Sequence, residues 1–143
     1  MRETSVAFLA QACGAKLLGC SSLMITGVKI DSREVCPGDL FVAVKGPNND
    51  GHRFLNAAYE QGARAFLVSD EDAAEEFLNT REDAAIVLTD NTEYAFEMMA
   101  KGYLDQFELI RIAVSGSTGK TSTKALTAAV MAAKYRTVCS QKN

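Results

Sequence analysis

The sequence predicts an α/β fold, and three observations lead to that prediction. Short apolar runs rich in branched side chains, such as 40–44, 64–68 and 84–88, are typical of buried strands. The stretches between them have apolar residues at helical spacing and few chain breakers. Near the end, an apolar run is followed by a glycine-rich loop and a last helical stretch. Together these features predict a small N-terminal α/β domain, followed by the first strand–helix unit of a second domain.

The first predicted elements are a helix and a short strand. Thr4 or Ser5 is suited to cap the start of the helix, and Gly14 is suited to end it. The helix has one apolar face, formed by Val6, Leu9, Ala10 and Cys13. The strand is predicted at 16–19.

Strands and helices then alternate along the chain. Strands are predicted at 25–30, 40–44, 64–68 and 84–88, and helices at 52–61, at 71–79 and from Asn91 or Thr92 to about Phe107. The first two of these strands are followed by turn-rich loops, DSREVCPGD and KGPNNDGHRF. We place the domain boundary just after the acidic stretch 69–83, which predicts domains of 1–85 and 86–143.

The composition excludes several classes of protein. The 143 residues are 48% hydrophobic with interspersed charges, which predicts a folded chain. The net charge is −3 and the basic residues form no run, so no nucleic-acid surface is expected. The apolar stretches are too short to cross a membrane. The four cysteines have no C-x-x-C pair and no metal-binding spacing, which is typical of free thiols in a cytoplasmic protein.

The glycine-rich loop is the first candidate site. It has the pattern G-x-x-G-K-T, and the apolar run 109–114 before it predicts a buried strand. A helix is predicted from Lys120 to Ala133 after it. A strand, a glycine loop and a helix N-terminus form the arrangement that binds nucleotide phosphates. The alternative is a glycine turn between strand and helix, with Lys120 solvated.

The residues of this loop have different expected roles. Lys120 is the candidate catalytic residue, because its ammonium would reach the β- and γ-phosphates of ATP. The Thr121 hydroxyl is the candidate ligand of Mg²⁺. The full set of candidate ATP-binding residues is Gly116, Ser117, Thr118, Gly119, Lys120, Thr121 and Ser122.

Two blocks of motifs resemble a known family. The first block contains Asp31-Ser32-Arg33, Pro37-Gly38, Asp39-Leu40-Phe41-Val42-Ala43, Gly46, Asp50-Gly51-His52, Ala58 and Gly62-Ala63. The second is VSGSTGKTSTK, in which Thr118 stands where the family usually has Asn. In their order and spacing the two blocks resemble the Mur ligases, over about residues 25–143.

The resemblance implies an activity and a substrate site. Mur ligases use ATP to phosphorylate the carboxylate of a UDP-N-acetylmuramoyl peptide, and an amine then attacks the acyl phosphate to form an amide. By matched position, the residues implied to hold the UDP part of this substrate are Ser32, Arg33, Gly46, Asp50, Gly51 and His52. Each of three positions also has a purely structural alternative. Asp31 would then cap a turn, and Arg33 would pair with Glu34 or Asp39. His52 would start a helix as a structural polar residue.

The second block favours one branch of the family. Ser117 and the sequence TSTK after Lys120 resemble the members that add D-alanyl-D-alanine to a UDP-N-acetylmuramoyl-tripeptide. One alternative is the branch that adds the third peptide residue, a diamino acid. Another is a stand-alone UDP-sugar-binding module with a vestigial ATP loop. We expect the chain to be the N-terminal part of a longer ligase, truncated within its ATP-binding domain and inactive by itself.

Overall fold

The computed structural model describes residues 1–46 and 50–140. The chain divides into two compact units, Met1–Glu108 and Leu109–Asn143. The first unit is a three-layer α/β structure, as predicted from the alternation of strands and helices. Its strands are β1 (Thr4–Ser5), β2 (Lys16–Gly19), β3 (Met24–Ile25), β4 (Gly27–Lys29), β5 (Asp39–Val42), β6 (Ala65–Val68) and β7 (Ala85–Leu88). Its α-helices are α1 (Val6–Cys13), α2 (Leu55–Glu60), α3 (Glu71–Leu78) and α4 (Thr92–Asp105).

The main sheet has five strands in the order β2-β7-β6-β5-β4. Strands β4 to β7 run parallel, with Leu40 opposite Ala65 and Phe66 opposite Ile86. Strand β2 runs antiparallel beside β7, and β1 and β3 form a separate antiparallel pair. The carboxyl ends of four neighbouring strands therefore lie along one edge of the sheet.

Each face of the sheet is covered by one pair of helices. Helices α1 and α4 cover one face, where the buried core consists of Val6, Leu9, Ala10, Ile25, Leu40, Val42, Ala65, Leu67, Ala85, Val87, Ala95 and Met99. Helices α2 and α3 cover the other, with Val35, Phe41, Ala43, Leu55, Ala58, Ala63, Phe66, Val68, Ala74, Phe77, Ala84 and Ile86. Because both faces are buried, the strands are continuous apolar runs instead of alternating ones.

The predicted helix signals correspond to real caps. The Ser5 side chain accepts a hydrogen bond from the Phe8 N–H at the start of α1, and Gly14 ends that helix in the left-handed conformation with φ 67°. Asn91 caps α4 through the Tyr94 N–H. None of the helices among the described residues is long and apolar enough to cross a membrane. All four cysteines are free, and burial raises the pKa of the Cys13 thiol.

The structure divides the chain at a different place from the predicted boundary at residue 85. Strand β7 lies between β2 and β6, so it is a central strand of the first unit. Helix α4 packs against α1, and the contact is so close that a Cβ on Gly102 would lie 2.6 Å from the Ala12 Cβ. Both elements therefore belong with the N-terminal core.

Two predicted elements of the first unit also differ in detail. The strand predicted at 25–30 is interrupted at Thr26, so that Met24–Ile25 pairs with β1 and Gly27–Lys29 joins the main sheet. The helix predicted at 52–61 begins as a 3₁₀ turn, Gly51–Phe54, before α2.

The second unit contains helix α5 (Lys120–Ala132), which agrees with the helix predicted after the glycine loop. The strand predicted at 109–114 does not form, and this prediction was wrong for the structure described here. Leu109, Ile110 and Ile112 are instead 48%, 64% and 54% exposed. A strand needs a neighbouring strand for its hydrogen bonds, and the described residues of this unit include no other strand.

Candidate functional site

The first candidate site lies at the carboxyl edge of the parallel strands. The DSR motif follows β4, and the segment that ends in Asp50-Gly51-His52 follows the adjacent strand β5. The loops after neighbouring parallel strands meet at the same edge, which is where open α/β sheets bind ligands. The fold therefore brings the two predicted substrate motifs to the same edge of the sheet, although the 16 residues 34–49 separate Arg33 from Asp50 in the sequence.

Arg33 pairs with Asp31 within the DSR turn. Asp31 caps a 3₁₀ turn, Ser32–Glu34, by accepting a hydrogen bond from the Arg33 N–H at 3.0 Å. The Arg33 guanidinium donates from Nε to Oδ1 at 2.9 Å and from Nη2 to Oδ2 at 2.6 Å. The structure thus shows Asp31 as the cap of a turn, and it gives Arg33 a different ion-pair partner from Glu34 or Asp39.

The Asp31–Arg33 ion pair keeps the Asp31 carboxyl ionised and leaves the Arg33 side chain accessible to solvent. The Arg33 guanidinium, with further help from the Arg33 N–H, lowers the pKa of Asp31 to about 2. The Arg33 side chain nevertheless remains 86% exposed. Ser32, in the same turn, is half-buried. The turn therefore presents an exposed cation whose orientation is restrained by a carboxylate.

The loop after β5 is anchored at Asp50 and Gly51. Asp50 forms an antiparallel bridge with Lys45 and accepts a hydrogen bond from the His52 N–H at 3.0 Å. The Gly51 N–H donates to the Val44 carbonyl at 2.9 Å. A Cβ on Gly51 would lie 2.7 Å from the Val44 nitrogen, so only glycine allows this close approach. Gly46 is half-buried at the start of the loop, and residues 47–49 lie outside the described residues.

His52 uses both ring nitrogens for contacts within the protein. Its Nδ1 lies 2.5 Å from Asp50 Oδ1, and the Ser69 N–H donates to Nε2 at 3.0 Å. The imidazole side chain is only 6% exposed. The hydrogen bonds from the His52 ring and then from its backbone N–H lower the pKa of the Asp50 carboxyl. This arrangement agrees with the structural alternative for His52 more closely than with direct contact to a ligand.

A cavity beside these loops was not predicted from the sequence. It has a volume of about 320 Å³ and is lined by Lys16, Ser69, Glu71, Leu88, Thr89 and Asp90. It lies where the chain leaves β6 towards α3 on one face of the sheet and leaves β7 towards α4 on the other. The available signal was a polar residue directly after each strand, Ser69 and Thr89.

The second candidate site is the glycine loop before α5. Gly116 and Gly119 have φ angles of 153° and 76°, and the latter is in the left-handed region that favours glycine. No side chain caps the N-terminus of α5. The N–H groups of Lys120, Thr121 and Ser122 in the first helical turn can therefore meet an anion. These features fit a phosphate-binding loop.

Lys120 folds back over this loop. Its Nζ donates to the Gly116 carbonyl at 2.6 Å and lies 3.5 Å from the Ser117 carbonyl. The ammonium is therefore held over the peptide groups that would surround a phosphate, and Thr118 is exposed in the same loop. Across residues 1–46 and 50–140, no group of three or more His, Cys, Asp or Glu side chains could hold a metal ion.

Comparison with known protein families matches the segment that carries the first candidate site. The family model described as "Mur ligase family, catalytic domain" matches residues 24–103, which include β4, β5 and the loops that follow them. The chain belongs to the Mur ligase family.

Its similarity to characterised Mur ligases extends over most of the chain. It is 39% identical over 121 residues to the UDP-N-acetylmuramoyl-tripeptide–D-alanyl-D-alanine ligase of Treponema pallidum, covering 82% of this chain and 26% of that protein. It is also 39% identical over 109 residues to the UDP-N-acetylmuramoyl-L-alanyl-D-glutamate–2,6-diaminopimelate ligase of Syntrophomonas wolfei, covering 75% of this chain and 21% of that one. The chain therefore spans about a quarter of the length of these Mur ligases.

Solved structures of Mur ligases agree with the fold. The MurF crystal structure II from Acinetobacter baumannii superposes with a TM-score of 0.81 at 23% identity, covering 94% of this chain and 28% of that one. The MurF ligase of Thermotoga maritima, crystallised in complex with ADP, is 31% identical with a TM-score of 0.58, covering 75% of this chain and 23% of that one.

Proposed function

We propose that the complete protein is an ATP-dependent ligase of peptidoglycan precursor synthesis, which adds D-alanyl-D-alanine to a UDP-N-acetylmuramoyl-tripeptide. This chain supplies the UDP site and the ATP loop. The observation that carries the proposal is the meeting of the DSR and DGH motifs at one sheet edge of a Mur ligase chain. Relatives with this substrate pair in their names support it, and a cytoplasmic location follows from the soluble precursor.

The UDP part of the substrate is assigned to the turn after β4 and the loop after β5. Arg33 has five N–H donors, and its pair with Asp31 uses two of them. The remaining donors of this exposed side chain suit the oxygens of a diphosphate. Ser32 adds a hydroxyl, Gly46 adds a peptide group that no side chain shields, and the close approach of Gly51 to the Val44 backbone shapes the loop around the substrate. Asp50 and His52 hold the loop in shape.

The ATP phosphates are assigned to residues 116–122. The uncapped N–H groups at the start of α5 would bind phosphate oxygens. The Lys120 side chain would exchange its contact with the Gly116 carbonyl for contacts with the β- and γ-phosphates. The Thr121 hydroxyl would hold Mg²⁺. Bound Mg²⁺ supplies further neutralisation of charge on the transferred phosphoryl group. The ADP-bound Thermotoga maritima relative supports a nucleotide role for this family.

These groups suit a two-step reaction. The substrate carboxylate attacks the γ-phosphate, forming an acyl phosphate and ADP. The amine of D-alanyl-D-alanine then attacks the acyl carbon and forms the amide. The bond between the acyl carbon and the phosphate oxygen breaks, and its electrons leave with inorganic phosphate. In the first step, Lys120 stabilises negative charge on the phosphoryl oxygens as the bond to ADP breaks.

A second candidate is the branch that adds a diamino acid to a UDP-N-acetylmuramoyl-dipeptide. It is favoured by the Syntrophomonas wolfei relative, which is as identical to this chain as the Treponema pallidum one. Ser117 and the TSTK sequence favour D-alanyl-D-alanine addition.

A product assay with the full-length protein tests the proposal and separates the branches. With ATP and Mg²⁺, we expect UDP-N-acetylmuramoyl-tripeptide and D-alanyl-D-alanine to give the pentapeptide by mass spectrometry, whereas the dipeptide with a diamino acid gives no product. The 143-residue chain by itself is expected to give neither, because phosphoryl transfer needs several positioned groups together. Product only from the dipeptide would assign the other branch, and product from neither pair would overturn the proposal.

A further inference from the structure

The His52 ring connects two segments of the first unit. Its Nδ1 contacts Asp50 in its own loop, and its Nε2 contacts the Ser69 N–H at the end of β6. A main-chain N–H can only donate, so Nε2 must accept with its lone pair and carries no proton. Nδ1 therefore carries the single proton and donates it to the Asp50 carboxylate. The contacts define a neutral imidazole in one tautomer.

Ser69 does not convert this arrangement into a nucleophilic site. Its Oγ lies 3.4 Å from Nε2, farther than its own backbone nitrogen at 3.0 Å. The one lone pair on Nε2 is already shared with the backbone N–H, so it is poorly placed to take the hydroxyl proton. The ring therefore functions as a connector between segments.

We propose that His52 is a positioning residue, a neutral clasp that holds the UDP-binding loop against the end of β6 without touching the substrate. The proposal rests on the proposed function in one respect, that this loop binds UDP. The 6% exposure of the imidazole agrees with a role inside the loop. Among the described residues of the loop, the Asp50–Lys45 bridge and the Gly51–Val44 hydrogen bond hold its own two ends together. The described contact that ties the end of the loop to β6 is the one made by His52.

Protonation of the ring would open one side of the clasp. A proton on Nε2 would point at the Ser69 N–H, and two donors repel each other. Asp50 and Lys45 face the ring or its carboxylate partner from the loop, and Asp70 follows Ser69 on the side of β6. The Asp50 carboxylate stays ionised and would keep its contact with the imidazolium. A protonated ring would therefore lose the Ser69 contact and retain the Asp50 contact.

Nitrogen NMR of the 143-residue chain tests the clasp without any ligand. His52 is the only histidine in the sequence, so its imidazole signals need no assignment. At neutral pH we expect the tautomer protonated on Nδ1, together with slow hydrogen exchange of the Ser69 amide. A ring protonated on Nε2 at neutral pH, or a Ser69 amide that exchanges as fast as an exposed one, would overturn the proposal.

Two matched variants then separate the contacts. His52→Gln keeps an oxygen near the position of Nε2 to accept from Ser69, while His52→Asn keeps an N–H near Nδ1 for Asp50. We expect His52→Asn to weaken UDP binding by about fivefold and His52→Gln by much less, since a lost hydrogen bond costs about 1 kcal/mol.

The outcomes distinguish the clasp from the proposed function. Equal UDP affinities for wild type and both variants would contradict the clasp. If the wild-type chain does not bind UDP at all, the proposed function fails, and the tautomer and the Ser69 exchange rate still decide whether the clasp exists.

Discussion

Replacing Lys120 by alanine in the full-length protein is expected to reduce kcat for amide formation by a factor of at least about 10²–10³. In phosphoryl transfer, catalysis comes mainly from positioning and from neutralising charge on the transferred group. Lys120 is the cation in the glycine loop, where its ammonium lies 2.6 Å from the Gly116 carbonyl. Its loss should act on the transition state, and UDP-substrate affinity should change little because that site is assigned to the first unit.

Lys124 provides the matched control for this variant. It lies one turn further along α5, and its Nζ contacts the Ser140 carbonyl at 2.8 Å. Lys124→Ala removes the same charge from the same helix and should leave kcat within a few fold of wild type. The measurement is steady-state ADP release with saturating substrates. A kcat for Lys120→Ala similar to that of Lys124→Ala would contradict the assignment of the ATP loop.

The largest loss of stability is expected from Phe66→Ala, at about 3–5 kcal/mol in the free energy of unfolding. Phe66 lies in the central strand β6 and is fully buried. Its ring makes edge-on contacts with Phe41 at 6.5 Å and with Phe77 at 4.8 Å between centroids. Truncation would leave a cavity between the sheet and α3. The same strand leads to Ser69, so the loss would extend to the edge that carries the site.

Urea unfolding followed by circular dichroism measures this loss. Tyr94→Ala is the control, because Tyr94 is an aromatic residue that is 59% exposed on α4 and should cost less than about 0.5 kcal/mol. If Phe66→Ala leaves no folded baseline, Phe66→Leu is expected to show a smaller loss of about 1 kcal/mol. Midpoints for both Phe66 variants equal to that of Tyr94→Ala would show that the core is not packed as described.

Features that depend on local sequence could be predicted well. The helix from Val6 to Cys13 was recognisable because a polar cap and a terminal glycine bracket an apolar face, and both caps are present in the structure. The buried strands β5, β6 and β7 were recognisable as short branched runs. The positions of Ser32, Arg33 and the DGH motif at one edge of the sheet depend only on two loops that follow parallel strands, and the motif resemblance pointed to those loops.

Features that depend on distant partners could not be predicted. Residues 109–114 have the composition of a strand, but a strand forms only where a neighbour supplies hydrogen bonds. The Asp31 partner of Arg33 is close in sequence, but it was missed because the pairing depends on a 3₁₀ turn that folds the side chain back over its own cap. The role of His52 depends on Ser69, 17 positions later. No local pattern reveals that β6 lies beside β5 and presents its terminal N–H to the ring.

The central claim is that the loops after β4 and β5 form the UDP site of a Mur ligase. Titration of the ¹⁵N-labelled 143-residue chain with UDP tests it most directly. We expect saturable shifts of the Ser32, Arg33, Gly46, Gly51 and His52 amides, and weaker binding by Arg33→Gln than by Lys101→Gln, which removes an exposed charge from α4. No saturable shifts, or shifts confined to the glycine loop at 116–119 or to the α1–α4 face, would contradict it.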